Sequence, residues 1–190
     1  MFRTISALAV LATAGAASAQ QLDVLLEVDL SVPDQITITA TDGLSAATIT
    51  GSDGIGFYLD QIIDGTNSNE ADALVSGNLV SAQNTSNDDP DLFHFSGNTG
   101  LNVFDVVATG DLNFVAGETA FSGSATWNIS ADFYATFAAV GSRGLVYFPA
   151  DDDTDLTSAS VLGEWVIVPA PGAGALLAMG GLVAVRRRRA

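Results

Sequence analysis

The chain has 190 residues, with six arginines, no lysine, 22 acidic side chains, one histidine and no cysteine, for a formal net charge of −16. Without cysteine there are no disulfides, no thiolate catalysis and no Cys-based zinc sites. The negative charge excludes nucleic-acid binding through phosphates and disfavours docking on anionic lipid, while favouring solubility, divalent cations or a salt-rich habitat.

Residues 1–19 read as a secretory signal peptide. Arg3 supplies the positive n-region, Ile5 to Ala17 form an apolar run rich in small residues, and Ala17-Ser18-Ala19 is an A-x-A cleavage site that makes Gln20 the first mature residue. The next segment, 20–168, has the length of one ordinary domain with a real core. It holds all 22 acidic residues against a single cation, Arg143, and so carries −21.

This segment reads as strands from end to end. Leu22, Val24, Leu26, Val28 and Leu30 share one face, with Asp23, Glu27 and Asp29 opposite. Ile36 and Ile38 alternate with Gln35, Thr37 and Thr39. Further runs rich in β-branched and aromatic residues cover 46–50, 56–63, 74–82, 92–96, 101–109, 119–130, 132–140, 144–148 and 161–168. Turn clusters separate them, among them Gly51-Ser52-Asp53-Gly54 and Gly97 to Gly100. The spacing predicts one all-β domain, an antiparallel β-sandwich or jelly roll, between an N-terminal signal helix and a short C-terminal hydrophobic helix.

Three acidic clusters have the ligand type that calcium prefers. Asp88, Asp89 and Asp91 form one; Asp151, Asp153 and Asp155 stand at alternate positions of a second. Leu156 and Leu162 occupy the Gly and Glu positions of an EF-hand, so the second cluster is an irregular calcium loop or a solvated turn. The third, Asp64 to Asp72, has Asn69 where a loop glycine belongs. The single histidine, His94, alternates with Phe93 and Phe95, and no G-x-S-x-G elbow accompanies it, so it reads as a strand residue facing away from the two phenylalanines. Glu27, Glu118 and Glu164 read as outward charges. Trp127 reads as core, whereas Tyr134, opposite a stripe of Phe133, Ala135 and Phe137, is the best exposed aromatic for stacking on a sugar.

The C-terminal segment 169–190 is organised in three parts. Val168-Pro169-Ala170-Pro171-Gly172 comes first, then an uncharged run to Val185, then Arg186, Arg187, Arg188 and Arg189. The run from Gly172 to Val185 would span roughly 21 Å as a helix, against about 30 Å of hydrocarbon, and suits transient rather than lasting insertion. The arginines keep the C-terminus cytoplasmic and place the rest outside. With Leu176-Leu177 and Gly180-Gly181-Leu182, this tail resembles a PEP-CTERM sorting signal, in which Pro169-Ala170-Pro171 replaces the usual Pro-Glu-Pro. The resemblance implies export, an exosortase-like membrane protease as partner, and weak or transient inner-membrane anchoring before release to the cell surface or matrix.

The sequence leaves three functions open. One is a non-enzymatic exported surface or matrix protein; the second is a calcium-dependent module binding extracellular polysaccharide. The third is a carboxylate-type glycoside hydrolase, which needs two acids across one cleft.

Overall fold

The computed structural model describes residues 21–66, 68–84, 89–107, 110–137 and 141–168. The signal peptide with Ala17, Ala19 and Gln20, the tail from Pro169 onward, and Asp88 lie outside the described residues. Within them the fold is all-β and predominantly antiparallel. The strands are β1 (Val24–Asp29), β2 (Gln35–Ala40), β3 (Ile49–Ser52), β4 (Phe57–Leu59), β5 (Glu70–Asp72), β6 (Leu74–Gly77) and β7 (Val80–Ser81). They continue with β8 (Pro90–His94), β9 (Leu101–Asp105), β10 (Asp111–Phe114), β11 (Phe121–Ser122), β12 (Ser124–Asn128), β13 (Arg143–Phe148) and β14 (Ser160–Val168). A helix, α1 (Ala131–Phe137), separates β12 from β13.

Ten strands form one sheet in the order β5-β8-β9-β4-β13-β14-β1-β2-β12-β6. Its two edge strands, β5 and β6, are joined in sequence by Ala73 alone, so the sheet curls until its edges nearly meet. Closure leaves few edge groups for other chains to pair with. At the seam the Leu74 N–H reaches Asp91 Oδ1 at 3.2 Å, and the Trp127 indole N–H on β12 donates to the Pro90 carbonyl on β8 at 2.9 Å. Two ribbons, β3–β10 and β7–β11, lie outside the main sheet. The Ser81 hydroxyl donates to the Asn113 carbonyl and links them.

One pairing in the sheet is parallel. β14 runs alongside β1 and antiparallel to β13, joining the first and last strands of the domain at the middle of the sheet. A register shift between Val24 and Leu26 breaks the expected alternation of β1. Leu25 and Leu26 are consequently both buried, and Leu25 lies where a side chain on Gly163 would have to go, 2.5 Å from an ideal Cβ there.

Phenylalanines from the ribbons and the main sheet stack in series through the core. Ring centroids lie 4.7 Å apart for Phe57 and Phe121, 5.1 Å for Phe121 and Phe114, and 5.0 Å for Phe114 and Phe148. Trp127 and Trp165 are fully buried. Because the chain has no cysteine, this packing must stabilise the fold without disulfides.

Segment 132–140 departs from expectation. Residues 131–137 are helical, the Ser130 hydroxyl accepts the Phe133 N–H at 3.2 Å, and Phe133 and Phe137 share the buried face at a spacing of four. Ala135, expected to face inward with them, is exposed. Among the described residues no helix is long and apolar enough to cross a membrane; the run 172–185 lies outside them.

Candidate functional site

The acidic segment after β13 is the densest charge cluster of the described residues, and its chain doubles back on itself. Asp152 Oδ1 accepts both the N–H and the hydroxyl of Thr154 at 2.6 Å, and the Asp151 N–H donates to Asp155 Oδ2 at 3.3 Å. A single 3₁₀ turn over Asp155–Thr157 follows. This folding brings one carboxylate oxygen each of Asp151, Asp152 and Asp155 within 4.8 Å of one another. Burial, then the hydrogen bond and charge of Asp155, push the Asp151 carboxyl above the usual carboxylate range.

Asp153 takes another direction. Its Oδ1 accepts the Tyr58 hydroxyl at 2.5 Å and its Oδ2 accepts the Thr99 N–H at 3.2 Å, so it anchors the loop to β4 and to the turn before β9. Burial, followed by this hydrogen bond and the Asp153 charge, raises the Tyr58 hydroxyl well above the ordinary tyrosine value. The neighbouring Asp60 is also raised, first by burial and then by Asp153. The alternation Asp151, Asp153, Asp155 therefore does not describe the cluster. Asp152 joins it through the reversal at Asp152–Thr154, which strand-like spacing could not reveal.

The other acidic clusters are dispersed. Asp89 is exposed, and Asp91 is half-buried with one oxygen on Leu74; both line a crevice of about 420 Å³ at the barrel seam with residues 73–77. Neither belongs to the close group formed by Asp151, Asp152 and Asp155. Asp64 closes its own turn by accepting the Thr66 N–H and hydroxyl, while Glu70 caps the entry to α1 by accepting the Ser130 N–H at 2.8 Å. Asp72 stands on β5 opposite Leu92. Burial, and secondarily Glu70, push its carboxyl up to about 6.

His94 does face away from Phe93 and Phe95, but it is the histidine that is buried, while Phe95 is exposed. Its Nδ1 donates to the Gly100 carbonyl at 3.1 Å, its ring lies 5.3 Å from that of Phe133, and its Nε2 is buried without a partner. Burial holds its pKa below the ordinary histidine value, against the opposing pull of the Gly100 bond, Asp153 and Glu70.

Among the described residues, neither tryptophan nor Tyr134 supplies an exposed stacking face. Trp127 and Trp165 are core residues, and Tyr134 turns its hydroxyl inward to the Leu30 carbonyl at 2.5 Å. Glu27 and Glu118 point to solvent, and Glu164 pairs with Arg143 at 2.7 Å.

No family model, curated protein or solved structure matches the chain.

Proposed function

We propose that the chain is an exported, non-enzymatic cell-surface or extracellular-matrix protein, delivered by its N-terminal signal and processed or anchored through its C-terminal tail. The observation that carries this reading is the pairing of two sorting-type ends around a segment with 22 acidic residues and one cation. Such a charge keeps a displayed domain soluble and repels like neighbours. The near-closed sheet serves the same end by leaving little edge exposed. The exosortase-like protease is the partner that the Pro169-Ala170-Pro171 tail calls for.

The test is fractionation of an epitope-tagged chain in a bacterium that carries an exosortase. The expected product is an external form from Gln20 onward that lacks Arg186 to Arg189, identified by mass spectrometry. Replacing those four arginines with serine should lower the processed fraction several-fold. Unchanged processing and localisation would remove the proposed role of the tail.

A second reading, calcium binding at the loop after β13, is favoured by the convergence of Asp151, Asp152 and Asp155 within 4.8 Å. Both tryptophans lie in the core, so neither supplies a sugar-stacking surface beside this loop.

A further inference from the structure

The last strand of the described chain, β14, lies in the middle of the main sheet. It pairs with β13 on one side, from Arg143↔Val166 to Phe148↔Ser160, and with β1 on the other, from Val24↔Glu164 to Asp29↔Val168. Without it the sheet order falls into two pieces, β5-β8-β9-β4-β13 and β1-β2-β12-β6, each with a bare edge facing the gap. Leu162 and Trp165, both fully buried, would leave the core with it. The pairs β1–β2 and β8–β9 are joined by short connections, whereas β1 and β14 stand at opposite ends of the domain. Their pairing closes the longest loop and costs the most entropy, which places it late in assembly.

The gap is shaped to this strand on both sides. Gly163 of β14 makes room for Leu25 of β1, whose Cγ lies 2.5 Å from an ideal Cβ at that glycine. Gly144 of β13 makes room for Trp165, whose Nε1 lies 2.6 Å from an ideal Cβ there. The Trp165 indole N–H donates to the Asp60 carbonyl, in the turn after β4, at 2.9 Å. Outside the ladders, the Leu162 carbonyl accepts the Ala46 N–H at 2.7 Å, and the Glu164 N–H donates to the Asp23 carbonyl at 2.9 Å. Main-chain pairing on two edges gives affinity for an extended segment, and the fitted side chains give it a sequence preference.

We propose that β14 is a separable joining strand: the gap between β1 and β13 takes an extended segment with the sequence Ser160–Val168, whether it arrives on its own chain or from solution. The domain stays open between β1 and β13 until that segment is in place. The tail begins at Pro169, the residue after β14. On the export reading above, the strand that completes the domain is therefore also the last part of it to clear the membrane, and the domain closes only when the tail has reached the bilayer. The gap and its occupant stand on the sheet order and the two glycine contacts alone, and hold whether or not the tail is processed.

The test uses the purified full chain carrying Leu162→Asp/Trp165→Asp, which puts two charges where its own β14 should be buried. This variant should lose the cooperative thermal melt of wild type. A synthetic peptide with the sequence Ser160–Val168, made soluble by two added lysines at its N-terminus, should restore that melt. The same peptide carrying Gly163→Val has equal charge but meets Leu25, and should act about tenfold more weakly. If the variant is too insoluble to purify, wild-type chain is refolded from urea with the peptide carrying a fluorophore; uptake should occur on refolding and not in chain that was never unfolded. A cooperative melt in the variant without peptide would show that β14 does not join the sheet. Equal action of the two peptides would reduce the effect to charge, and no rescue together with no uptake on refolding would show that the gap takes no strand from solution. Each of these outcomes overturns the proposal.

Discussion

The Tyr58 hydroxyl donates to Asp153 Oδ1 at 2.5 Å across 95 residues of sequence, and this bond holds the acidic loop against β4. Tyr58 is 1% exposed, so its hydroxyl has no water to turn to. The tie also explains why Asp153 is withdrawn from its acidic neighbours: both of its oxygens serve the fold, one through Tyr58 and the other through the Thr99 N–H.

Removing that hydroxyl alone should be expensive for so small a change. Tyr58→Phe preserves the buried ring and leaves Asp153 with one donor fewer. A hydrogen bond to a charged group contributes about 1.5–3 kcal/mol, and the variant should lose a similar amount. Urea denaturation at pH 7 measures it. A change under about 0.5 kcal/mol would mean that water replaces the hydroxyl without cost.

Asp72 predicts an unusual dependence of stability on pH. Its carboxyl rises from an ordinary 3.8 to about 6, by burial first and the Glu70 charge second. Between these values the native state holds a proton that the unfolded chain has released. Stability from this group is therefore fully present below pH 3.8 and is lost as pH rises through about 6. Asp72→Asn should remove the loss and exceed wild type at pH 7.5 by about 1–2 kcal/mol, after allowance for solvent screening at a half-buried site. The gap should narrow toward pH 4. A gap that stays constant from pH 4 to 7.5 would show that Asp72 titrates normally.

The all-β fold was legible because β1, β2 and β12 carry apolar residues at alternate positions, a local property. What escaped depended on partners distant in sequence. The stripe Phe133, Ala135, Phe137 fits a strand as well as a helix until Ser130 is recognised as the cap, and then only the spacing of four survives. The expected strand over 119–130 is divided at Gly123, whose φ of +83° ends β11 and lets β12 join the main sheet while β11 pairs with β7. The parallel meeting of β1 with β14 leaves no trace in either strand alone. The same holds for chemistry. The acidic loop was visible as a run of aspartates with Asp151 and Asp155 in it, but that Asp152 rather than Asp153 lies beside them was not. Asp53 looked like any turn aspartate, because its burial comes from Asp105 and Gly110, more than 50 residues away.

His94 supplies the opposite sign to Asp72. Its imidazole is neutral in the fold, with the proton on Nδ1 for the Gly100 carbonyl and a bare Nε2 in the core beside Phe133. Burial lowers its pKa, although the Gly100 bond and the charges of Asp153 and Glu70 work against the shift. The unfolded chain therefore takes up a proton near pH 6.5 that the native state still refuses, and stability present above that pH is lost as it falls through the folded pKa. His94→Leu removes this proton linkage. At pH 7.5 it exchanges a lost hydrogen bond to Gly100 for the relief of an unpartnered ring nitrogen, and should lie within about 1 kcal/mol of wild type. Below pH 6.5 the balance should move steadily toward the variant, while the Asp72 contribution, common to both proteins, cancels. Paired urea titrations at pH 7.5 and pH 5 provide the comparison. An offset that is the same at both values would mean that His94 accepts its proton as readily in the fold as out of it, and that the core around Phe133 opens to admit the charge.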